Sequence, residues 1–186
     1  MSKEMLDVLS EDGTLTGITK ERTLVHQDGD LHRTCHVWIT RETPDGVELL
    51  LQKRSANKDS FPGCYDISSA GHVPAGVDFL PSAVRELKEE LGITAAEKDL
   101  LPLFTLRQGS NNIFHGKQFI NNEFTLVCLL KKDISIDELT LQREEVESVR
   151  WMKLGEVMRL AREHSPLTCL HEEEILGIQD FLSKDK

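Results

Sequence analysis

The chain has 186 residues, of which 39% are hydrophobic, and a formal net charge of −10, values typical of one globular domain with a substantial core. The acidic balance argues against binding to a nucleic-acid polymer, because a polyanion is bound by lysines and arginines that neutralise its phosphates. The longest uncharged run is far shorter than the roughly 20 apolar residues of a membrane helix, and the N-terminus is charged rather than signal-like, so we expect a cytoplasmic protein without membrane contacts.

Turn residues divide the chain into short apolar segments. Asp12-Gly13 and Asp28-Gly29 lie within residues 1–30 and predict a strand-rich N-terminal extension. In the main domain, residues 31–165, apolar runs predict strands at 34–40, 47–52, 101–107, 119–130 and 146–152, with a short strand that ends at Gly71. Helical spacing of apolar residues predicts helices at 80–91, 156–163 and 172–182. This order predicts a mixed α/β domain with its sheet between helical layers.

The C-terminal segment, residues 166–186, contains the last predicted helix. Its apolar stripe comprises Ile175, Leu176, Ile178, Phe181 and Leu182. A stripe of this width packs either on the domain or on a second copy of the chain, so a homodimer stays open.

The helix at 80–91 carries three carboxylates, Glu86, Glu89 and Glu90. At 3.6 residues per turn they lie within about 100° of one another. Like charges so close repel one another unless a cation compensates, and hard oxygen ligands favour Mg²⁺ or Mn²⁺ over zinc. Arg85 precedes Glu89 by one helical turn and can fix its orientation through an ion pair.

A glutamate-rich helix is also a common solvated surface, and short motifs recur by chance. The wider spacing separates these interpretations, because Gly71 stands fourteen residues before Arg85 and Gly92 is the expected end of the helix. We therefore favour the interpretation that these glutamates form a metal site over the interpretation that they lie on a solvent-exposed helix face.

Residues 71–93 resemble the Nudix box: Gly, five residues, Glu, seven residues, Arg-Glu, an aliphatic residue, any residue, Glu-Glu, any residue, Gly and an aliphatic residue. Its fixed positions are occupied here by Gly71, Arg85, Glu86, Glu89, Glu90 and Gly92. Val77 replaces the first glutamate of the box. Because valine cannot coordinate a cation, we expect altered or weakened metal affinity with activity retained.

The resemblance to Nudix hydrolases implies an α/β/α sandwich with a mixed sheet, in which the box forms a strand, a loop and a helix. It implies that Mg²⁺ or Mn²⁺ is held by Glu86, Glu89, Glu90 and the Gly71 carbonyl, with Arg85 as support. Such enzymes cleave a nucleoside diphosphate linked to another moiety, or a related diphosphate, by in-line attack of metal-activated water.

The resemblance also requires a proton acceptor and groups that contact phosphate. The candidate catalytic acids are Glu89 and Glu90 in the box, and Glu123 and Glu145 in later loops. Glu123 and Glu145 taken singly are more often surface or salt-bridged carboxylates. The candidate phosphate-binding residues are Lys53 and Arg54 at a strand end, and Arg107 on a later strand.

The sequence around the box, from about residue 26 to 151, resembles in particular the branch that includes isopentenyl-diphosphate isomerases. Those isomerases hold a metal with histidines and glutamates, a set that this chain matches with His26, His32, His72 and Glu123. The isomerase's catalytic cysteine precedes the Gly-His pair, however, and this chain has Ala70 there. Asn121 also replaces a further glutamate ligand.

Loss of the thiol and a nearly complete box together favour a hydrolase that acts on a small-molecule diphosphate. Two rival hypotheses stay open: an isomerase of isoprenoid diphosphates, and a Nudix-fold module that binds a diphosphate without cleaving it. The replacement at Val77 is the only sequence feature that supports the second.

Overall fold

A computed structural model describes residues 4–58, 60–114 and 116–184 of the chain. The strands are Met5–Leu9 (β1), Leu15–Glu21 (β2), Leu31–Thr43 (β3), Gly46–Arg54 (β4), Tyr65–Asp66 (β5), Ser69–His72 (β6), Leu101–Phe114 (β7), Lys117–Lys131 (β8) and Val146–Lys153 (β9). The helices are Arg22–Asp28 (α1), Phe79–Leu91 (α2), Leu154–Arg162 (α3) and Glu172–Lys184 (α4).

Strand β3 is the centre of the sheet. It runs parallel to β8 over residues 31–40 and antiparallel to β4 and β6 on its other edge. β9 extends the sheet beyond β4, and β7 extends it beyond β8, both in antiparallel pairing. Parallel and antiparallel pairs thus occur in one sheet, which confirms the prediction of a mixed sheet.

The two faces of the sheet are covered by different helices. α2 buries Ala83, Leu87 and Leu91 against one face. α3 and α4 cover the other face, where Val157 and Ile175 pack near Trp38. These three layers confirm the predicted α/β/α sandwich, and each helix turns its apolar stripe to the sheet because that stripe is stable only when buried.

Helix α2 ends where the sequence predicts. Gly92 adopts a left-handed conformation with φ of 73°, and its backbone N–H bonds the carbonyls of Leu87 and Lys88. A side chain at this position would also meet Thr140, whose Cβ lies 2.8 Å from the ideal Cβ site. Glycine is therefore required for both backbone conformation and space.

The hairpin of β7 and β8 is longer than predicted. Apolar patterning predicted strands at 101–107 and 119–130, whereas the pairing continues through polar residues to Phe114 and Lys117. Backbone hydrogen bonds need no apolar side chains, so a two-stranded ribbon can extend past the end of the hydrophobic pattern.

The two terminal segments are parts of the same fold. β1 and β2 form a hairpin, and β1 pairs with β3 at Val8 and His32. The predicted strand-rich extension also contains α1, a short helix. α4 packs on the domain, with Ile175 and Ile178 fully buried. Among the described residues, no helix has the length and apolar character needed to cross a membrane.

Candidate active site

A cavity of about 490 Å³ opens at the end of the sheet where β6 leads into α2. Its walls come from β3, β6 and α2, from the loop after β4, from the β7–β8 hairpin, and from the segment 164–171 that precedes α4. Parts of the chain that are distant in sequence therefore meet around one space.

The three box carboxylates line this cavity together. Glu86, Glu89 and Glu90 all project from α2 into it, and Gly71 on β6 faces them. The carboxyl group of Glu86 occupies the space in which a side chain at position 71 would lie. The glycine therefore allows the backbone of β6 to approach the acidic face of α2.

Burial controls the charge of two of the box carboxyl groups, Glu86 and Glu90. Burial raises the pKa of Glu86 to about 8, against the opposing effect of Arg85. It likewise raises the pKa of Glu90 to about 7, although the Ala70 N–H donates to the Glu90 carboxylate at 3.3 Å. Both groups therefore favour a proton or a cation over bare negative charge at neutral pH.

Arg85 holds the acidic face in place. Its guanidinium donates to Glu86 at 2.6 Å and to Glu89 at 2.9 Å. It also donates to the carbonyl of His72 at 3.3 Å, which ties α2 to β6. Arg85 thus pairs with two of the three carboxylates, including Glu89 one helical turn away, and its role in supporting a metal site stays a prediction.

The acidic face fits a divalent cation. Two buried carboxylates whose protonated forms are favoured, one half-exposed carboxylate and a neighbouring backbone carbonyl form a set of hard oxygen donors. Such donors suit Mg²⁺ or Mn²⁺, whose charge would replace the protons. Val77 is half-buried in the loop before α2 and is not among the described residues that line the cavity.

Both predicted acids line the same cavity. The loop position is wrong for Glu123, which lies within β8 and pairs with Gln108 on β7, whereas Glu145 does lie in a loop. Glu145 forms an ion pair with Lys58 from the loop after β4. Glu123 on β8 stands beside His32 in the register of β3 and β8. The two acids therefore have different neighbours: Glu145 is beside a lysine, and Glu123 is beside a histidine.

The three predicted phosphate-binding residues are placed differently. Arg54 lines the cavity, but its guanidinium donates to Asp66 at 2.8 Å and to the Ser60 carbonyl at 3.0 Å. Neither Lys53 nor Arg107 is among the described residues that line the cavity. They pair instead with Glu147 and Glu11, at 2.7 and 2.8 Å, so the role of both stays a prediction.

Three histidines meet beside the acidic face. The ligand atoms of His26, His32 and His72 lie within 4.8 Å of one another, and the Nε2 atoms of His26 and His72 are 3.1 Å apart. The Nε2 atom of His32 is buried without a hydrogen-bond partner among the described residues. Burial lowers the pKa of each ring, which favours the neutral imidazole that binds metals. The isomerase-like histidine set is therefore brought together.

Sequence reasoning did not identify several groups of the cavity wall. Lys58 and Phe61 come from the loop after β4, and Phe61 has an unusual φ of 47°. The segment 164–171 docks through Tyr65, whose N–H donates to Leu167 O at 2.8 Å and whose carbonyl accepts from the Cys169 N–H at 3.1 Å. A short segment after a helix has no sequence pattern which indicates that it will line a cavity, so residues 164–171 could not be predicted to do so.

The fold and the acidic helix define a three-layer α/β/α domain built around a carboxylate site suited to a divalent cation. The chain matches the family described as NUDIX domain over residues 30–170, and it belongs to that family. The similarity to the Nudix box in residues 71–93 is thus confirmed by a match that covers most of the chain.

Named relatives agree with this assignment. The chain is 44% identical over 168 residues to Nudix hydrolase 3 of Arabidopsis thaliana, which covers 89% of this chain and 21% of that protein, so the chain spans about a fifth of that relative. It is 35% identical over 159 residues to an uncharacterised Nudix hydrolase of Clostridium acetobutylicum, covering 86% and 74%. An isopentenyl-diphosphate Delta-isomerase of Saccharopolyspora erythraea is 32% identical over 152 residues, covering 80% and 71%, as the resemblance to that branch implies.

Solved structures show the same fold. A Deinococcus radiodurans protein superposes with a TM-score of 0.69 at 18% identity, covering 95% of this chain and 98% of that one. The NUDIX domain of Shewanella oneidensis NrtR, solved with ADP ribose, gives a TM-score of 0.58 at 17% identity, covering 81% and 87%.

Proposed function

We propose that this protein is a metal-dependent hydrolase that cleaves a diphosphate linkage in a small molecule, such as a nucleoside diphosphate joined to another moiety. The observation that carries this proposal is the pair of buried carboxyl groups, Glu86 and Glu90, on the wall of an open cavity. The Shewanella domain with bound ADP ribose supports the substrate class, since it shares the fold.

The acidic face would hold the metal. Glu86, Glu89 and Glu90 are the side-chain ligands, with the Gly71 carbonyl as a further donor. When bound, Mg²⁺ or Mn²⁺ neutralises the diphosphate and makes a bound water easier to deprotonate. Arg85 keeps Glu86 and Glu89 in position for this role.

Of the two candidate acids outside the box, Glu145 is the better placed to accept a proton. Its partner Lys58 is close enough to the acidic face for its charge to oppose the burial-driven rise in the pKa of Glu90. Glu145 therefore lies within electrostatic reach of the box carboxylates. Glu123 lies instead beside the three histidines, where a carboxylate can complete a metal site.

The three-histidine group favours a second candidate function, an isomerase of isoprenoid diphosphates. Against it, the side chain of Ala70 is a methyl group and cannot deliver the proton that the isomerase cysteine supplies. Hydrolysis needs no donor at this position, so it is the better supported reaction.

A substrate screen tests these functions. Nucleoside diphosphate sugars, dinucleoside polyphosphates, NADH and isoprenoid diphosphates are incubated with Mg²⁺ and analysed by chromatography. We expect a phosphate-containing cleavage product from at least one compound, and its loss in Glu90→Gln. Formation of an allylic isomer from isopentenyl diphosphate would support the isomerase. Tight binding with no cleavage of any compound would show a binding module and refute the proposal.

A further inference from the structure

A buried ion pair joins the sheet to the C-terminal helix. The Nδ1 atom of His36 on β3 lies 3.0 and 3.1 Å from the two carboxylate oxygens of Glu174 on α4. Trp38 Nε1 donates to one of these oxygens at 2.7 Å, and Gln108 Nε2 donates to the other at 3.0 Å. Each oxygen of Glu174 thus accepts two hydrogen bonds, which fixes the carboxylate and, through it, the imidazole ring.

The other side of the His36 ring faces the cavity. His36 lines the cavity, whereas Glu174 does not contribute to its lining. Because Nδ1 is engaged by Glu174, the atom left for the cavity is Nε2. In the pairing of β3 and β6, His36 stands opposite Ala70, and the N–H of Ala70 bonds to Glu90. The backbone at position 36 is therefore connected to the acidic face through one strand, β6, while the ring lies on the face of the sheet that α4 covers.

The pair keeps a proton on His36. Burial lowers the pKa of the ring, but the carboxylate of Glu174 outweighs this effect and raises the pKa to about 9. The Nε2 atom is consequently an N–H donor at neutral pH.

The position of this donor differs from that of the other cations on the cavity wall. Arg22, Arg54, Lys58 and Arg85 are each paired with a carboxylate that itself lines the cavity. The counter-charge of His36 lies behind the ring, on α4. A ligand in the cavity therefore meets the N–H of His36 without displacing the hydrogen-bonded partner of the ring, although the charges of Glu123 and Asp66 on the cavity wall also reach it.

We propose that the Nε2–H of His36 binds an anionic oxygen of the substrate diphosphate, and that Glu174 positions the ring for this contact. This inference rests on the proposed function, because it supposes that the cavity receives a diphosphate. It assigns α4 a share in substrate binding, in addition to its place in the core.

Two volume-conserving variants and one control test the inference. His36→Gln removes the cationic donor, and Glu174→Gln removes the carboxylate that holds it. Glu173→Gln is the matched control, since this exposed neighbour is in the same turn of α4 and outside the cavity lining. The probe is inorganic pyrophosphate with Mg²⁺, titrated by calorimetry, and KM and kcat are measured on the compound cleaved in the screen. Circular dichroism and Tm verify that each variant is folded.

A lost charge-assisted hydrogen bond weakens binding roughly 10- to 100-fold. We expect that loss for pyrophosphate and a parallel rise in KM in His36→Gln, with kcat changed far less. Glu174→Gln should also weaken pyrophosphate binding and raise KM. Glu173→Gln should match the wild type in both measurements. A purely structural role would lower Tm and leave pyrophosphate affinity unchanged in the folded variants, which would overturn the inference.

The calorimetric titration does not depend on turnover. If the wild type binds pyrophosphate but cleaves nothing, the proposed function fails while the contact of His36 is still measured. If His36→Gln does not fold, Glu174→Gln decides alone, and an unchanged affinity there refutes the role of the pair.

Discussion

Replacement of Glu86 by glutamine should reduce the effects of pH and of Mg²⁺ on stability. Glu86 has a folded pKa of about 8, above its ordinary value of 4.5. A raised pKa means that the folded state binds the proton more tightly than the unfolded chain. The stability linked to this proton is complete below pH 4.5 and is lost as pH rises through about 8.

The size of the effect follows from the shift and from burial. The shift corresponds to about 5 kcal/mol at the usual 1.36 kcal/mol per pKa unit. Because the side chain keeps 14% of its exposure and contacts Arg85, water and the guanidinium reduce this value. We expect the metal-free wild type to lose on the order of 2–3 kcal/mol more than Glu86→Gln between pH 5 and pH 9.

Mg²⁺ should act in the opposite direction. A cation that binds only the folded state stabilises it by about 2.7 kcal/mol at one hundred times its Kd. We expect this stabilisation to grow with pH in the wild type, as the proton is replaced, and to be much smaller in Glu86→Gln.

Urea unfolding followed by tryptophan fluorescence measures both effects, because Trp38 is fully buried and changes its surroundings on unfolding. Titrations run from pH 5 to pH 9, with EDTA and with Mg²⁺. Glu138→Gln is the control, since Glu138 is exposed and outside the cavity lining. Parallel stability curves for the wild type and Glu86→Gln, or equal responses to Mg²⁺, would refute the assignment of Glu86 as a buried metal ligand.

Three further changes test the site and its support. Gly71→Ala places a methyl group against the Glu86 carboxyl, so we expect at least a tenfold fall in kcat/KM, equivalent to about 1.4 kcal/mol, while an unchanged rate would contradict the close approach. Gly92→Ala should lower the free energy of unfolding by about 1–2 kcal/mol, because it forces a left-handed backbone and meets Thr140; urea unfolding measures this. Glu145→Gln should lower kcat by about 10²-fold with little change in KM, and wild-type turnover would exclude Glu145 as the proton acceptor.

Local patterns predicted the acidic helix well. The spacing of Glu86, Glu89 and Glu90 depends only on helix geometry, and α2 begins within one residue of the predicted start and ends at the predicted residue. Gly92 is recognisable from sequence because a helix commonly ends at a residue in the left-handed conformation, which glycine adopts most easily. The position of Gly71 relative to Arg85 gave the strand, loop and helix order that the structure shows.

Patterns of this kind failed where the structure depends on backbone pairing between strands or on packing between distant parts of the chain. The hairpin β7–β8 continues past its apolar residues because its backbone groups satisfy one another. Helix α1 lies in a segment that turn signals divided into strand-like pieces. The candidate cations were chosen by strand position, and the side chains of Lys53 and Arg107 have other partners.

The sequence by itself determined the box, its carboxylates and the glycine that ends α2, because each depends on residues within about twenty-five positions of one another. Only the tertiary structure decided what else surrounds the cavity. His36 and Glu174 are 138 positions apart, and Lys58 and Glu145 are 87 positions apart. Such pairs form through sheet register and helix docking, which no local pattern encodes, so these parts of the cavity wall are defined only when the chain is folded.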